Sequence, residues 1–271
     1  MELLVVGAGA MGRWLARTVT VPVAFADADP ASARRAVESL AADGHETRHV
    51  SLDTEETFAG VALAVPISAT KSAFAAYADR AESALLDVTG VMALPVAAMR
   101  EHAPDLERVS LHPLFAPENA PGNVAVVADA PGPVTDTLRA DLADAGNHLF
   151  ETTAEEHDRA METVQAAAHT AILAFALAAE ETRPEFSTPV SAGLGDLVAT
   201  VTGGEPRVYA EIQDSFDGSE AVADAARRIA DADAATFADL YREAGESARK
   251  SSESGGPTST PTDTGERGDE S

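Results

Sequence analysis

Apolar positions fall into two rhythms along this chain. The first half carries short apolar runs: Glu2-Leu-Leu-Val-Val-Gly7, Val21-Pro-Val-Ala-Phe-Ala26, Glu46–Ser51, Val61-Ala-Leu-Ala-Val65, Ala84-Leu-Leu-Asp87-Val-Thr89, Val109-Ser-Leu111 and Val124–Ala128. Continuous rather than alternating apolarity is the mark of strands buried on both faces. Helical patterns separate most of these runs, which predicts a doubly wound parallel sheet. From Thr152 the rhythm changes. Met161, Val164, Ala168, Ile172 and Phe175 recur at three- and four-residue spacing, so one helix face is apolar. Thr153-Ala-Glu-Glu156 can satisfy its own backbone donors at a helix start, and Pro184 ends the helix after Arg183. At 1.5 Å per residue this helix spans roughly 40 Å, more than one layer of a small domain needs. It reads as a connector that leaves one domain and becomes the core of another.

Beyond Pro184 the pattern predicts helices over Thr188–Thr202, Pro206–Asp214 and Ser219–Ala244. The small-residue run Ser191-Ala-Gly-Leu-Gly195 allows close helix contact and suits a dimer interface. The Ser/Thr/Gly/Pro-rich end has no apolar periodicity and cannot offset the entropy of ordering. The expected division is therefore an α/β domain over residues 1–151, an all-α domain over 152–246 and a disordered acidic tail over 247–271.

The 271 residues, 45% of them hydrophobic, suffice for two cores. With no cysteine there is neither a disulfide framework nor a thiolate metal site, and no metal is expected. No run suggests a membrane span and the chain begins directly in a strand pattern, so a soluble, cytoplasmic protein is expected. Against 19 basic residues stand 45 acidic ones, a net charge of −26, and the only lysines are Lys71 and Lys250. Such a surface repels nucleic acid and anionic membranes. It reads as the solvated acidic shell of a protein adapted to molar salt, where repulsion is screened within roughly 3 Å.

The first strand runs into Gly7-Ala-Gly9-Ala10-Met11-Gly12 and then a helical pattern. A bare GxGxxG is weak; between a strand and a helix it becomes a dinucleotide fingerprint. Gly7 permits the tight turn, Gly9 lets backbone approach a pyrophosphate, Gly12 lets helix pack on strand, and the helix N-terminus with Ala10 and Met11 offers N–H groups to phosphate. Asp27 closes the second run, 20 residues beyond Gly7, where a carboxylate accepts ribose hydroxyls and repels a 2′-phosphate. That favours NAD; Arg34 and Arg35 are the argument for NADP, and Asp29 is an alternative acceptor or the cap of the next helix. Val65-Pro66 and Thr89 sit at strand ends on the same edge, where ligands of such sheets bind.

His112 follows an apolar strand at that edge, before Pro113. Its intrinsic pKa near 6.5 suits a proton acceptor at neutral pH, although a histidine in a loop is as often structural. His169 alone would be a core histidine.

Taken together and in order, Gly7-x-Gly9-x-Met-Gly12, Asp87-Val-Thr-Gly-Val, His112-Pro-Leu-Phe-Ala-Pro117, Glu155-Glu-His-Asp-Arg159 and Glu205-Pro-Arg-Val-Tyr209-Ala-Glu-Ile-Gln213 resemble the prephenate/arogenate dehydrogenases of tyrosine biosynthesis, over about Met1 to Glu246. The resemblance implies a Rossmann domain followed by an all-helical domain that forms a homodimer. It implies NAD as cofactor and oxidative decarboxylation of prephenate, or of arogenate, with His112 taking the hydroxyl proton. It places Gln165 and His169 against substrate, and His157 and Asp158 either bridging to Glu118 across the cleft or at a solvated helix start. Three positions depart from the family pattern. Gly90 and Met92 stand where serine and lysine are usual, and Ala192, Thr200 and Ala210 stand where a substrate-binding arginine is expected, leaving Arg207, or less directly Arg183, for the substrate carboxylates. Another dehydrogenase of the same architecture, or a non-catalytic cofactor-binding relative, are the readings those departures favour.

Overall fold

The structure, a computed structural model, describes residues 1–254. By internal contacts the chain forms two units, Met1–Ser219 and a second from Glu220 onward.

In the first unit the strands are β1 (Leu3–Val6), β2 (Val23–Ala26), β3 (Thr47–His49), β4 (Phe58–Leu63), β5 (Ala81–Asp87), β6 (Glu107–Pro113), β7 (Asn123–Ala130) and β8 (His148–Glu151). They form one sheet in the order β3-β2-β1-β4-β5-β6-β7-β8. The first six are parallel; β7 runs antiparallel to β6 and parallel to β8. The antiparallel turn after β6 departs from a wholly parallel sheet. β8 went unseen because it is a largely exposed edge strand with no apolar run to mark it.

Helices α1 (Ala10–Thr18), α2 (Pro30–Ala42), α3 (Ile67–Tyr77), α4 (Ala93–His102) and α5 (Pro133–Asp144) cover the two faces. One core joins Val5, Trp14, Phe25, Leu86, Leu111 and Leu138; the other joins Leu4, Phe58, Leu63, Phe74, Leu85 and Met99. β1 and β4 are neighbours while β2 and β3 lie beyond β1, so strand order reverses between β1 and β4. A crevice opens at the carboxyl ends of the strands at such a reversal.

The long helix follows as α6 (Ala154–Met161), a π-helical segment Glu162–Ala167, and α7 (Ala168–Ala178). It begins where expected, with the Thr153 hydroxyl accepting from Glu156 N at 3.1 Å, but ends at Ala178 rather than Arg183. The π segment, which sequence does not signal, widens the turn, and Gln213 Nε2 donates to the Ala166 carbonyl at 3.0 Å. A Cβ on Gly218 would lie 2.1 Å from the Glu162 carbonyl oxygen, so only glycine lets the chain pass this segment. By length and composition Ala154–Ala178 is apolar enough to cross a membrane, contrary to the sequence expectation. Its first half is instead built into the site described below.

α8 (Pro189–Thr202) and α9 (Pro206–Ser215) complete the first unit, and α10 (Gly218–Ala230) leads into the second. Met161, Ala166, Ile212 and Phe216 form a third small core with Val91. In the second unit the single expected helix is two, the rest of α10 and α11 (Ala234–Ser254), because Asp233 Oδ1 accepts from Thr236 N at 2.8 Å and starts a new helix. Residues 247–254, expected to be disordered, belong to α11; the remainder of the expected tail lies outside the described residues.

Candidate active site

The glycine-rich loop joins β1 to α1 at the reversal point. Gly7 has φ +104°, and a Cβ there would lie 2.2 Å from the Ala64 carbonyl oxygen. A Cβ on Gly12 would lie 2.0 Å from the Gly7 carbonyl oxygen and 3.2 Å from Val5 Cγ1. Both glycines are required by the fold itself. Gly9 differs: it is exposed, and a Cβ there meets nothing within 4 Å. Open space above a helix N-terminus is the cradle a pyrophosphate needs. Ala10 is exposed at that rim, while Met11 packs partly against the core.

Asp27, at the end of β2, accepts from Ala8 N at 2.7 Å and from Asp29 N at 2.8 Å, so its carboxylate is held at the rim of the loop. Asp29 is the cap of α2: it accepts from Ala31 N, Ser32 Oγ and Arg35. Arg35 is thereby turned along α2, which removes its argument for a 2′-phosphate. Val65 and Pro66 follow β4 on the other side of the crevice, with Pro66 capping α3.

His112 is the second-to-last residue of β6 and is buried, 6% exposed. Its Nδ1 lies 2.8 Å from His157 Nε2, and His157 Nδ1 lies 2.8 Å from Asp158 Oδ1. Asp158 in turn accepts from Met92 N at 2.9 Å and Ala93 N at 3.0 Å, the N-terminus of α4. Burial raises the Asp158 carboxyl, but the bonds from His157 and the two amides outweigh it and hold the group below its ordinary value. An ionised carboxylate only accepts, so with both imidazoles neutral His157 carries its proton on Nδ1 and presents a bare Nε2. His112 must then donate from Nδ1, which leaves a lone pair on its Nε2. That atom faces Gly90, whose Cβ position would be 3.8 Å away, and lies 3.4 Å from Gln165 Nε2. Burial, then the neighbouring His157, push the His112 pKa down to about 3, with Asp158 pulling partly back.

The sequence-predicted bridge from His157 and Asp158 to Glu118 does not form. Glu118 is exposed and makes no hydrogen bond or ion pair among the described residues, while the pair is consumed by His112 and α4. The Thr89 hydroxyl is spent on Asp87 Oδ2 and the Val91 carbonyl. Asp87 is fully buried, and burial, against two bonds from Thr89, pushes its carboxyl up to about 7.

The π segment sets Gln165 beside His112, and its buried Oε1 has no partner. His169, one turn on, packs its ring edge-on against Tyr209 at 4.8 Å, and its Nδ1 is likewise buried and unpartnered. Burial lowers its pKa. Tyr209 belongs to α9, which docks on the start of α3 through Glu211; that carboxylate accepts from Ile67 N at 2.8 Å and Ser68 Oγ at 2.7 Å. Arg207 is exposed in the first turn of α9 without a carboxylate partner among the described residues, whereas Arg183 lies over the Phe186 ring at 5.0 Å. Tyr209 and Glu211 were given no role by the sequence, whereas His157 and Asp158 were singled out but with Glu118, not His112, as the expected partner.

A glycine-rich crevice at the strand reversal, with a buried histidine at the end of β6, two strands beyond β4, and a helix bearing unpartnered polar atoms beside it, defines a Rossmann dehydrogenase. Residues 11–129 match the family model described as prephenate dehydrogenase, nucleotide-binding domain. A 4-amino-4-deoxyprephenate dehydrogenase from Streptomyces pristinaespiralis is 31% identical over 265 residues, covering 89% of this chain and 88% of that protein. The chain belongs to the prephenate/arogenate dehydrogenase family and is an oxidoreductase of that family. Its fold is shared with the Aquifex aeolicus prephenate dehydrogenase crystallised with hydroxyphenyl propionate and NAD+ (TM-score 0.68, 16% identity, 94% of this chain and 98% of that one). It is shared too with the Synechocystis arogenate dehydrogenase (TM-score 0.60, 16% identity, 93% and 100%).

Proposed function

We propose that the protein is an NAD-dependent prephenate dehydrogenase, converting prephenate to 4-hydroxyphenylpyruvate and carbon dioxide. The observation that carries this is the His112 Nε2 lone pair, forced by the tautomers behind it and facing Gly90 and Gln165 at the carboxyl edge of the sheet. NAD, when bound, supplies the hydride acceptor; Gly7, Gly9, Ala10, Met11 and Gly12 would hold its pyrophosphate, Asp27 its ribose, and Val65, Pro66 and Thr89 border its nicotinamide end. His112 takes the proton of the ring hydroxyl as the hydrogen on the same carbon leaves as hydride. Loss of the ring carboxylate as carbon dioxide sends its electron pair into the ring and onto that oxygen, which recovers the proton from His112. The proton account closes with none released. Proximity and the exclusion of water are the protein's other contributions.

Gln165 and His169 offer their unpartnered atoms to the substrate, and Glu118 lies at the rim. Arg207 is the cation for a substrate carboxylate: in a chain with 45 acidic residues, an arginine left without one is available for a ligand. The cofactor half is residues 1–151 and the substrate half 152–246, in a cytoplasmic homodimer. α7 has no buried residue, and Leu177 and Val190 stand 89% and 74% exposed, an apolar face that a second copy would cover.

The name of the Streptomyces relative favours a second reading, in which the ring carbon bears an amino group. NADH formation in molar KCl with prephenate, arogenate and 4-amino-4-deoxyprephenate as parallel arms, each with NAD and NADP, tests the proposal. Turnover of prephenate with NAD at the highest kcat/KM is expected; preference for either amine-bearing substrate would replace it.

A further inference from the structure

We propose that Asp158, acting through His157, is the counter-charge that allows the buried His112 to take up a proton, so that both are positioning residues of the reaction. The inference rests on the reading of His112 as the base. Three groups stand in line, Asp158, His157 and His112, with 2.8 Å between successive partners. His157 is 3% exposed and His112 6%, so water cannot solvate an imidazolium there. Burial and His157 push the His112 pKa down to about 3 even with Asp158 pulling partly back, so a proton on His112 depends on whatever counter-charge reaches it. The charge therefore has to be compensated at the moment of transfer.

The other ionisable groups nearby are already engaged or turned away. Asp87 of β5 is held by Thr89, Glu211 of α9 by the start of α3, and Glu118 is exposed, while the neighbour from the π segment, Gln165, is uncharged. Among the described residues, Asp158 alone carries a negative charge along a hydrogen-bonded path to His112. When Nε2 takes the substrate proton, His112 Nδ1–H strengthens its bond to His157, and His157 Nδ1–H its bond to the carboxylate. No atom is gained or lost, and the proton returns by the same path to the product oxygen. The two amides at the start of α4 keep the carboxylate ionised and in place, so it serves as a fixed charge.

The far side of Asp158 makes the idea testable without entering the substrate cleft. Its side chain is 24% exposed and lines a cavity of about 780 Å³ between α4, the β7–β8 edge and α6, together with Ala93, Arg100, Thr153 and Glu155. A small anion added to solution can reach the space left by a truncated side chain.

Asp158→Asn keeps an acceptor for His157 but removes the charge; NAD binding, followed through the single tryptophan Trp14 on α1, should persist while kcat falls at least about tenfold. In Asp158→Ala, formate should restore kcat in a saturable way, and formamide, the neutral molecule of the same shape, should not. Parental kcat in Asp158→Asn, or equal recovery with formamide, would overturn the proposal. Should both variants fail to fold, ¹⁵N-histidine spectra of the parent decide: Nδ1–H tautomers at His157 and His112 are required, and an Nε2–H tautomer at His112 sinks it. If His112→Asn turns over normally, the reading of the base fails instead, and the two failures are told apart.

Discussion

Substituting alanine for each glycine of the first loop separates what the fold needs from what the cofactor needs. Gly12→Ala places a methyl 2.0 Å from the Gly7 carbonyl oxygen and 3.2 Å from Val5 Cγ1. The backbone oxygen cannot rotate away, so α1 has to lift from β1. Overpacking of this kind costs about 1–3 kcal/mol, and here the neighbour is backbone, which puts the cost at the upper end. Gly9→Ala meets nothing within 4 Å, and its φ of −70° suits any L residue. Losing glycine at a helix N-cap costs up to about 1 kcal/mol, while restricting the unfolded chain returns about 0.4–1 kcal/mol, so the net change in stability is near zero. The same methyl occupies the approach to the pyrophosphate and should weaken NAD at least tenfold, about 1.4 kcal/mol. Thermal melts and NAD titration of Trp14 fluorescence, both in molar KCl, give the two readings. Gly12→Ala should melt well below the parent, and Gly9→Ala should melt with it but bind NAD poorly. Parental NAD affinity in Gly9→Ala, or a parental melt in Gly12→Ala, would refute the division of roles.

His112→Asn should bind NAD as the parent does and turn over at least about 10²-fold more slowly, measured as NADH formation at saturating substrate. Arg207→Ala should raise KM by about tenfold or more with a smaller change in kcat, as expected when a carboxylate contact common to ground and transition states is lost; an unchanged KM removes Arg207 from the site. Asp87 is pushed up to about 7 from 3.8, so its stabilising protonated form is fully present below 3.8 and its contribution is lost as pH rises through 7. Asp87→Asn should therefore gain on the parent in melting temperature between pH 6 and 8, on the order of a few kcal/mol at most, and a flat difference across that range contradicts the assignment. His112 runs the other way: lowered from 6.5 to about 3, it binds protons in the unfolded chain first, so stability is lost as pH falls from 6.5 toward 3. The acid limb of melting temperature should be shallower in His112→Asn than in the parent.

Most of the fold and the skeleton of the site were legible because they rest on local signals. A buried parallel strand tends to a continuous apolar run, and β1, β2 and β4 are such runs, with shorter ones inside β5 and β6. Gly12 is demanded by contacts with Gly7 and Val5 a few residues away, Gly7 stands in a short glycine spacing although the contact that demands it is with Ala64, and His112 is marked by the apolar strand it ends. The illegible parts lack such signals. β8 is an exposed edge with nothing to bury, and the division between α10 and α11 hinges on one side-chain cap at Asp233.

By itself, then, the sequence determined the order of most elements and the position of the nucleotide loop and marked His112 at a strand end, since each follows from residue type at fixed short spacing. Only the tertiary structure decided what surrounds that histidine. His112 and His157 are 45 residues apart, and Asp158 meets amides 66 and 65 residues away, Met92 N and Ala93 N. No periodicity in a linear chain encodes a hydrogen bond across such a separation. The π turn that presents Gln165 depends likewise on Gln213 and on the absence of a side chain at Gly218, both from another part of the chain. Local chemistry specified the parts; burial at the carboxyl edge of the sheet, where water is excluded and every polar atom needs a partner, decided which of them face one another.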